Sequence, residues 1–347
     1  MTFIRNAWYA AAWADEIGQE PLARRILDEP VVLFRAENGA IGALRDVCPH
    51  RAVPLSMGTV EGDRIRCPYH ALEFDTGGIC RHNPHVKGQP DRIKVQSYQI
   101  LERYGMIWLW FGDPEKADPA ALTHYEVLEQ NSGYKAVTGY LNVKASYLLV
   151  IDNLMDLAHA EFIHTQTVGS PGASKVEQAE VLTGLRGEGT ITVKTLWPDL
   201  PPNAVNRPIW THSEHVDAWQ EMTWHKPSHM FLNLGIMAPG EPREAGIHTP
   251  SAHILTPETA TSTHYFWAFT RTFEKENPAV CDSIRTVINQ AFGGEDAPIL
   301  EAAQRALIET GGDLLNFSVG DAGSAHVRRE IDRIIKQQEA ESTPAER

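Results

Sequence analysis

Hydrophobic and polar positions alternate differently in the two parts of this chain. Up to about residue 120 the apolar runs are short and β-branched. Pro30 to Arg35 and Ile41 to Val47 flank Glu37-Asn38-Gly39, which predicts a hairpin, and Gly58 to Arg66 predicts another. Gly105 to Phe111 is a strongly apolar strand ending at Gly112-Asp113-Pro114, its tryptophans read as core. Beyond residue 120 the pattern lengthens. A strand from Gly139 to Lys144 leads into a helical stretch, Asp152 to His164. Five strands follow, Gln178–Leu182, Thr190–Leu196, Met230–Ala238, Gly246–Thr256 and Thr263–Arg271, alternating as one antiparallel sheet would. Thr167 to Lys175, with Gly169, Pro171 and Gly172, predicts a mobile loop, and Pro198 to Pro208 a loop over a pocket mouth.

A long helical pattern runs from about Pro278 to Glu309, with Val280, Ile284, Val287, Ile288 and Ala291 on one stripe. Gly293-Gly294 interrupts it, and each glycine costs about 1 kcal/mol relative to alanine. Ser324 to Gln338 predicts a final amphipathic helix before a frayed polar tail, Glu339 to Arg347. The class is therefore α+β: an all-β domain over 1–120, then a domain of antiparallel sheet and helices over 121–347, divided near the polar, alanine-rich Glu115 to Ala121.

Composition narrows the function. With 347 residues, 42% hydrophobic and 22% charged, the chain can build two cores. No apolar run approaches the roughly 20 residues needed to span a bilayer, and Met-Thr-Phe-Ile-Arg-Asn lacks a secretory layout, so a cytoplasmic protein is expected. A net charge of −14 argues against nucleic-acid or anionic-membrane partners. In a reducing compartment Cys48 and Cys67 are better metal ligands than disulfide partners, while Cys80 and Cys281 can be small buried hydrophobes.

Two loops carry the first chemistry. One reads Cys48-Pro49-His50-Arg51 and the other Cys67-Pro68-Tyr69-His70, with the Gly58–Arg66 hairpin bringing them side by side. Each offers one thiolate and one imidazole, as a Rieske [2Fe-2S] cluster requires. Two Cys and two His also suit zinc, but zinc sites usually group Cys with Cys and His with His, whereas this chain mixes them. Neither loop has a further cysteine for a bracing disulfide.

The second chemistry lies in Asp152 to His164. On a helix Asp156 and His159 share a face, with Asn153 one turn earlier. His164 is five positions beyond His159 and off that face, so both can ligate one ion only if the helix ends or distorts between them. Two imidazoles plus a carboxylate would hold iron(II) on three corners of an octahedron, leaving positions open for dioxygen. Asp296, beside the glycine interruption, is the first choice for that carboxylate; Glu295 and Glu301 are rivals. Histidines in so apolar a helix can also be hydrogen-bonded core.

With both sets in view, the chain resembles the oxygenase components of Rieske non-heme iron monooxygenases of the vanillate O-demethylase and dicamba monooxygenase group. The likeness runs nearly end to end, through Phe3-Ile4-Arg5-Asn6-Ala7-Trp8-Tyr9, the cluster loops, Asp152 to His159, Ile254-Leu255-Thr256-Pro257-Glu258-Thr259 and the region of Asp296. It implies Cys48, His50, Cys67 and His70 as cluster ligands and His159, His164 and Asp296 as iron ligands. It implies Asp156 as the bridge from a neighbouring subunit's cluster to His159, within a head-to-tail homotrimer. The implied catalytic domain is a helix-grip, START-like fold. Electrons would come from NAD(P)H through a separate flavin and [2Fe-2S] reductase. The implied reaction is O-demethylation of a methoxylated, vanillate-like aromatic acid to formaldehyde and a phenol such as protocatechuate; the alternative is hydroxylation of the ring or a methyl group of another aromatic acid. Ala71-Leu72 stands where many members have Gly-Trp. For substrate contact, Asn233 and His253 are expected on the concave face of the sheet, although a one-residue slip would reverse either.

Overall fold

The computed structural model describes residues 3–86, 90–169, 180–183, 190–203, 205–207, 209–312 and 321–342. The expected loop at 167–175 and the start of the strand at 178 thus lie partly outside the described residues. The chain divides into two compact units, one of Arg5–Leu122 with Thr256–Ala260, the other of Met1–Ile4, Thr123–Leu255 and Thr261–Arg347.

The smaller unit holds three small antiparallel sheets. Ala7–Trp13 pairs with Met106–Phe111, which pairs with Ile100–Arg103. Leu22–Ile26, Glu29–Arg35 and Ile41–Arg45 form the second, the last two making the hairpin expected across Gly39 (φ 86°). The third runs Thr59–Glu61, Arg64–Arg66, Glu73–Asp75, Cys80–His82, and its first turn uses Gly62 at φ 60°. Val32, Phe34, Leu44, Leu55, Ile65 and Phe74 bury one shared core, each contributing about 1.5–3 kcal/mol by leaving water. That core also encloses Cys48 and Cys67. Trp108 and Trp110 are core residues too, their ring N–H groups donating to the carbonyls of Arg103 (3.0 Å) and Asp113 (2.8 Å).

The larger unit is built on one antiparallel sheet of eight strands. Its order is Lys135–Val143, Ser262–Arg271, Ser251–Thr259, His229–Met237, Val216–His225, Thr190–Leu200 and Glu180–Thr183, with Ile247–His248 added on His229–Met237. The run expected as one strand from Gly246 to Thr256 is split, because Pro250 has no N–H to give a ladder. Val216–His225 was not expected as a strand; Trp219 among polar positions and Gln220 among apolar ones break its alternation. Thr190–Leu200 continues through a bulge into the start of the proline-rich stretch expected as loop. At Gly139 a Cβ would lie 2.2 Å from the Trp267 ring, so the indole crosses the strand where no side chain stands.

Among the described residues, five helices complete this unit. Helix α1 (Tyr147–Met155) starts at Ser146, whose hydroxyl accepts from Leu148 N–H (3.3 Å), and it is apolar on most sides because it is enclosed. Helix α2 is one turn, Ala160–Ile163. Helix α3 (Pro278–Asn289) passes through a π-helical turn, Gln290–Asp296, into α4 (Ala297–Thr310), which stops at Gly311 in the left-handed conformation. The two glycines therefore widen the helix rather than break it. Helix α5 runs from Ala322 to Ser342, four residues past the expected end, and Arg328 on it forks onto the Asp152 carboxylate of α1. No described helix is long and apolar enough to cross a membrane.

Candidate active site

The two cysteine loops are the same turn used twice. Cys48 N–H donates to Val53 C=O (2.8 Å) and Ala52 N–H to Cys48 C=O (2.9 Å); Cys67 repeats this with Leu72 (2.8 Å) and Ala71 (3.1 Å). Ala52 (φ 58°) and Ala71 (φ 54°) both occupy the left-handed region where glycine is favoured. Alanine in place of glycine at Ala71 thus carries backbone strain but removes no ligand. The imidazole follows the cysteine by two residues in the first loop and by three in the second. This difference sets the His50 and His70 rings face to edge, centroids 4.4 Å apart. Both cysteines are buried, and His70 Nδ1 is buried with no hydrogen-bond partner. Burial pushes the Cys48 thiol up, the neighbouring Cys67 adds to this, and the N–H groups of His50 and Arg51 oppose it. Thiolates are costly here until cationic iron compensates them.

The distortion expected between His159 and His164 is present. Helix α1 ends at Asp156, which is extended (φ −88°, ψ 102°), and the chain turns back through His159 into α2. Asp156 is therefore off the helix, contrary to the shared face expected, and its carboxylate accepts from Ala158 N–H (2.8 Å). The π turn presents Asp296 from the other side. Ligand atoms of His159, His164 and Asp296 all lie within 4.8 Å of one another. Asp296 Oδ1 is 3.7 Å from His159 Nε2 and 3.3 Å from His164 Nε2, and it accepts from Asn153 Nδ2 at 3.0 Å.

Each imidazole is held by its other nitrogen. His164 Nδ1 meets Glu295 Oε2 at 2.7 Å, and Thr167 Oγ1 donates to the same oxygen at 2.6 Å. His159 Nδ1 meets the carbonyl of Asp156. With these acceptors Nδ1 of each ring is a donor, and both Nε2 atoms turn toward Asp296. Burial works against a charge on His164, but Asp296 and Glu295 outweigh it and draw its pKa up. Two imidazole Nε2 atoms and one carboxylate on one side of a point is the facial arrangement for iron(II), whose binding would require both Nε2 atoms to be free of protons.

Above the triad lies a cavity of about 100 Å³, lined by Leu157, Val168, Met222, Leu232, Leu234 and Phe292 and by a few polar groups, Gln220, Thr249, Ser251 and His253 among them. No lysine or arginine is among its described lining residues. His253 is buried, and burial lowers its pKa to about 4, with Asp296 pulling weakly the other way. Its Nδ1 meets Tyr265 OH (2.5 Å) and its Nε2 meets Ser251 Oγ (2.9 Å). Burial drives the Tyr265 phenol upward, so it keeps its proton and donates to Nδ1. Nε2–H then donates to Ser251, whose hydroxyl proton is left for whatever occupies the cavity.

Comparison with known proteins decides the family. Residues 7–99 match the Rieske [2Fe-2S] domain, and residues 143–337 match the vanillate O-demethylase oxygenase C-terminal domain. The chain belongs to the Rieske non-heme iron oxygenases. This oxygenase is 38% identical to the dicamba O-demethylase oxygenase component of Stenotrophomonas maltophilia over 96% of this chain and 98% of the relative. It is 36% identical to the chloroacetanilide N-alkylformylase oxygenase component of Rhizorhabdus wittichii, over 96% of each. It matches the crystal structure of dicamba monooxygenase bound to 3,6-dichlorosalicylic acid with TM-score 0.91 and 37% identity, covering 98% of this chain and 100% of that one.

As a member of this family the oxygenase works with a Rieske [2Fe-2S] cluster and mononuclear iron, and both donor sets suit them. The cluster loops bring two thiols and two imidazoles together, with His70 Nδ1 in want of a partner; the triad orients two imidazoles and a carboxylate. The rival carboxylates separate cleanly. Glu295 stands behind His164, while Glu301 accepts from Lys144 N–H (3.0 Å) away from the triad. Asn233 needs correction. Leu232 and Leu234 line the cavity, so Asn233 between them points to the other face of the sheet. There it donates to Glu221 (2.9 Å) and meets His248 (2.7 Å). Ser251, Tyr265, Thr167 and the supporting place of Glu295 were missed. Period-two alternation from His253 could have found Ser251, but nothing local marks the other three.

Proposed function

We propose that this chain is the terminal oxygenase that removes the methyl group of a methoxylated, vanillate-like aromatic acid, drawing electrons from NAD(P)H through a separate flavin and [2Fe-2S] reductase. One observation carries the reading: the His159, His164 and Asp296 set opens beneath an apolar cavity whose described polar groups, apart from that set and Asp156, are uncharged amides, hydroxyls and His253. When bound, the cluster held by Cys48, His50, Cys67 and His70 supplies single electrons, and the iron supplies the centre at which dioxygen is activated. The protein's own part is placement. Asn153 and Glu295 hold the ligand side chains, the leucines and Phe292 exclude water, and Ser251, primed through His253 by Tyr265, donates to an oxygen of the substrate. Overall, the methyl carbon leaves as formaldehyde, the arene keeps a phenol, and the second oxygen atom leaves as water.

The chain acts as a homotrimer in this reading, with the cluster of one subunit serving the iron of the next. Asp156 suits the bridge: its side chain is 30% exposed and its Oδ2 is 3.8 Å from His159 Nδ1. Met57 and Tyr69, exposed beside the second cluster loop, offer an apolar surface to a docking partner. Asp156→Ala should abolish turnover while both metals stay bound, measured as iron content, cluster absorbance and product; loss of iron would make Asp156 a mere support. The decisive experiment is a single turnover. Anaerobic, iron-loaded, cluster-reduced protein is mixed with vanillate and dioxygen, and formaldehyde is counted per iron. A ratio near one supports the reading; none, with the cluster signal intact, rejects this substrate class.

A further inference from the structure

The apolar stripe of α3 is only partly covered: Ile284 and Ile288 are buried, while Val280 and Val287 stay half-buried. Val280, Ile284, Val287 and Ile288 repeat at helical spacing, the pattern of a face that belongs in a core. Instead they line a second cavity of about 300 Å³, closed on its other side by Val205, Ile209, Phe269 and Phe273. Protein interiors close such spaces unless something fills them. This cavity adjoins the one above the triad, for Val205, Asn206, Thr249, Phe269 and Ile288 line both. Within α3, Ser283 lies roughly 8 Å farther from the π turn than Ile288, at 1.5 Å per residue. The space therefore runs from the reaction centre outward, with Ala279 and Ser283, both exposed, at its far rim.

We infer that this second cavity is a subsite for an apolar substituent on the substrate, placed away from the group that is oxidised. The inference rests on the proposed use of the first cavity and refines it: the preferred substrate is an aromatic acid bearing an alkyl chain or second ring, with Asn206 and Thr249 at the neck between ring and tail. A cavity of about 100 Å³ is of the order that holds a single ring. Among its described lining residues the larger space behind it has no charged group, so an apolar tail gains by entering.

The test is calorimetric titration of the iron-loaded, full-length protein with 3-methoxybenzoate and with homologues alkylated at position 4 or 5 by one to five carbons. In at least one series, affinity should rise about fourfold per methylene until the space is full. Ser283→Phe and Val280→Phe fill the second cavity without touching the first. They should erase this gain while leaving the Kd of 3-methoxybenzoate within twofold, which also shows that the variants fold. Flat affinity in both series, or a gain that survives both substitutions, overturns the inference. Binding of the alkylated probes alone supports the subsite and revises the parent substrate; binding of none rejects both the subsite and the proposed substrate class.

Discussion

The two metal-binding regions are assembled by opposite means. The cluster loops are local: each is a six-residue turn closed by its own backbone, and all four candidate ligands fall between Cys48 and His70. The iron triad is global. His159 and His164 come from a break after α1, Asp296 comes from a π turn, and their orientation depends on Asn153, Thr167 and Glu295. A local site tolerates change elsewhere in the chain; a global one is only as precise as the packing that brings its parts together. The cleanest way to break this comparison is to remove one ligand from each. Cys67→Ser should eliminate the Rieske absorbance and electron paramagnetic resonance signal while mononuclear iron still binds. Asp296→Ala should cut mononuclear iron to below about a tenth of the wild-type content while the cluster signal is unchanged. Loss of both metals in either variant would show that the two sites are one cooperative unit.

A finer test removes support rather than a ligand. Glu295→Ala leaves all seven donors in place but frees His164 Nδ1 and Thr167 Oγ1. Iron affinity, read by competition with a chelator, should fall about 10–100-fold with the cluster unaffected. Glu295→Gln keeps an acceptor oxygen and should lose less. Equal affinity for all three proteins would mean that packing alone orients His164.

This contrast also explains what could be read in advance. The cluster ligands were visible because loop chemistry is written in consecutive residues. His159 and His164 were visible as a pair whose spacing fits no helix, and Asp296 by the glycines beside it, each an irregularity that needed a reason. Glu295 appeared only as a rival for the ligand position, since which face a residue takes on a π turn depends on the turn itself. The strands Ser262–Arg271 and His229–Met237 were evident, but Val216–His225 was hidden because Trp219 and Gln220 break its alternation.

The relay behind Ser251 adds a pH signature to the global site. His253, near pKa 4 in the fold against an ordinary 6.5, binds fewer protons folded than unfolded between those values. Its contribution is therefore intact above pH 6.5 and lost as pH falls toward 4, by roughly 3 kcal/mol in all. Urea denaturation at pH 7 and pH 5 should show part of this loss in the wild type, and His253→Asn should show a shallower slope. An unchanged slope would place the acid sensitivity elsewhere.

The smallest expected effect bears on the sharpest error in reading the sheet. Asn233 has the chemistry of a substrate contact and sits one residue from two positions that line the cavity, yet strand geometry sends it to the opposite face. Its neighbours there are Glu221, which also receives Arg243 at 2.8 Å, and His248. Burial resists charging Glu221, but Arg243, Asn233 and Lys194 together hold its carboxyl below the usual range. Asn233→Ala should therefore cost about 1 kcal/mol of stability through lost hydrogen bonds and leave substrate affinity within about twofold. Leu232→Asn should do the reverse and change affinity directly, because that position faces the ring. If Asn233→Ala weakened binding tenfold at unchanged stability, the strand would present its other face to the substrate. Ser251 and His253, on the neighbouring strand, would then need reassignment as well, since His253 pairs with Met230 in the same register.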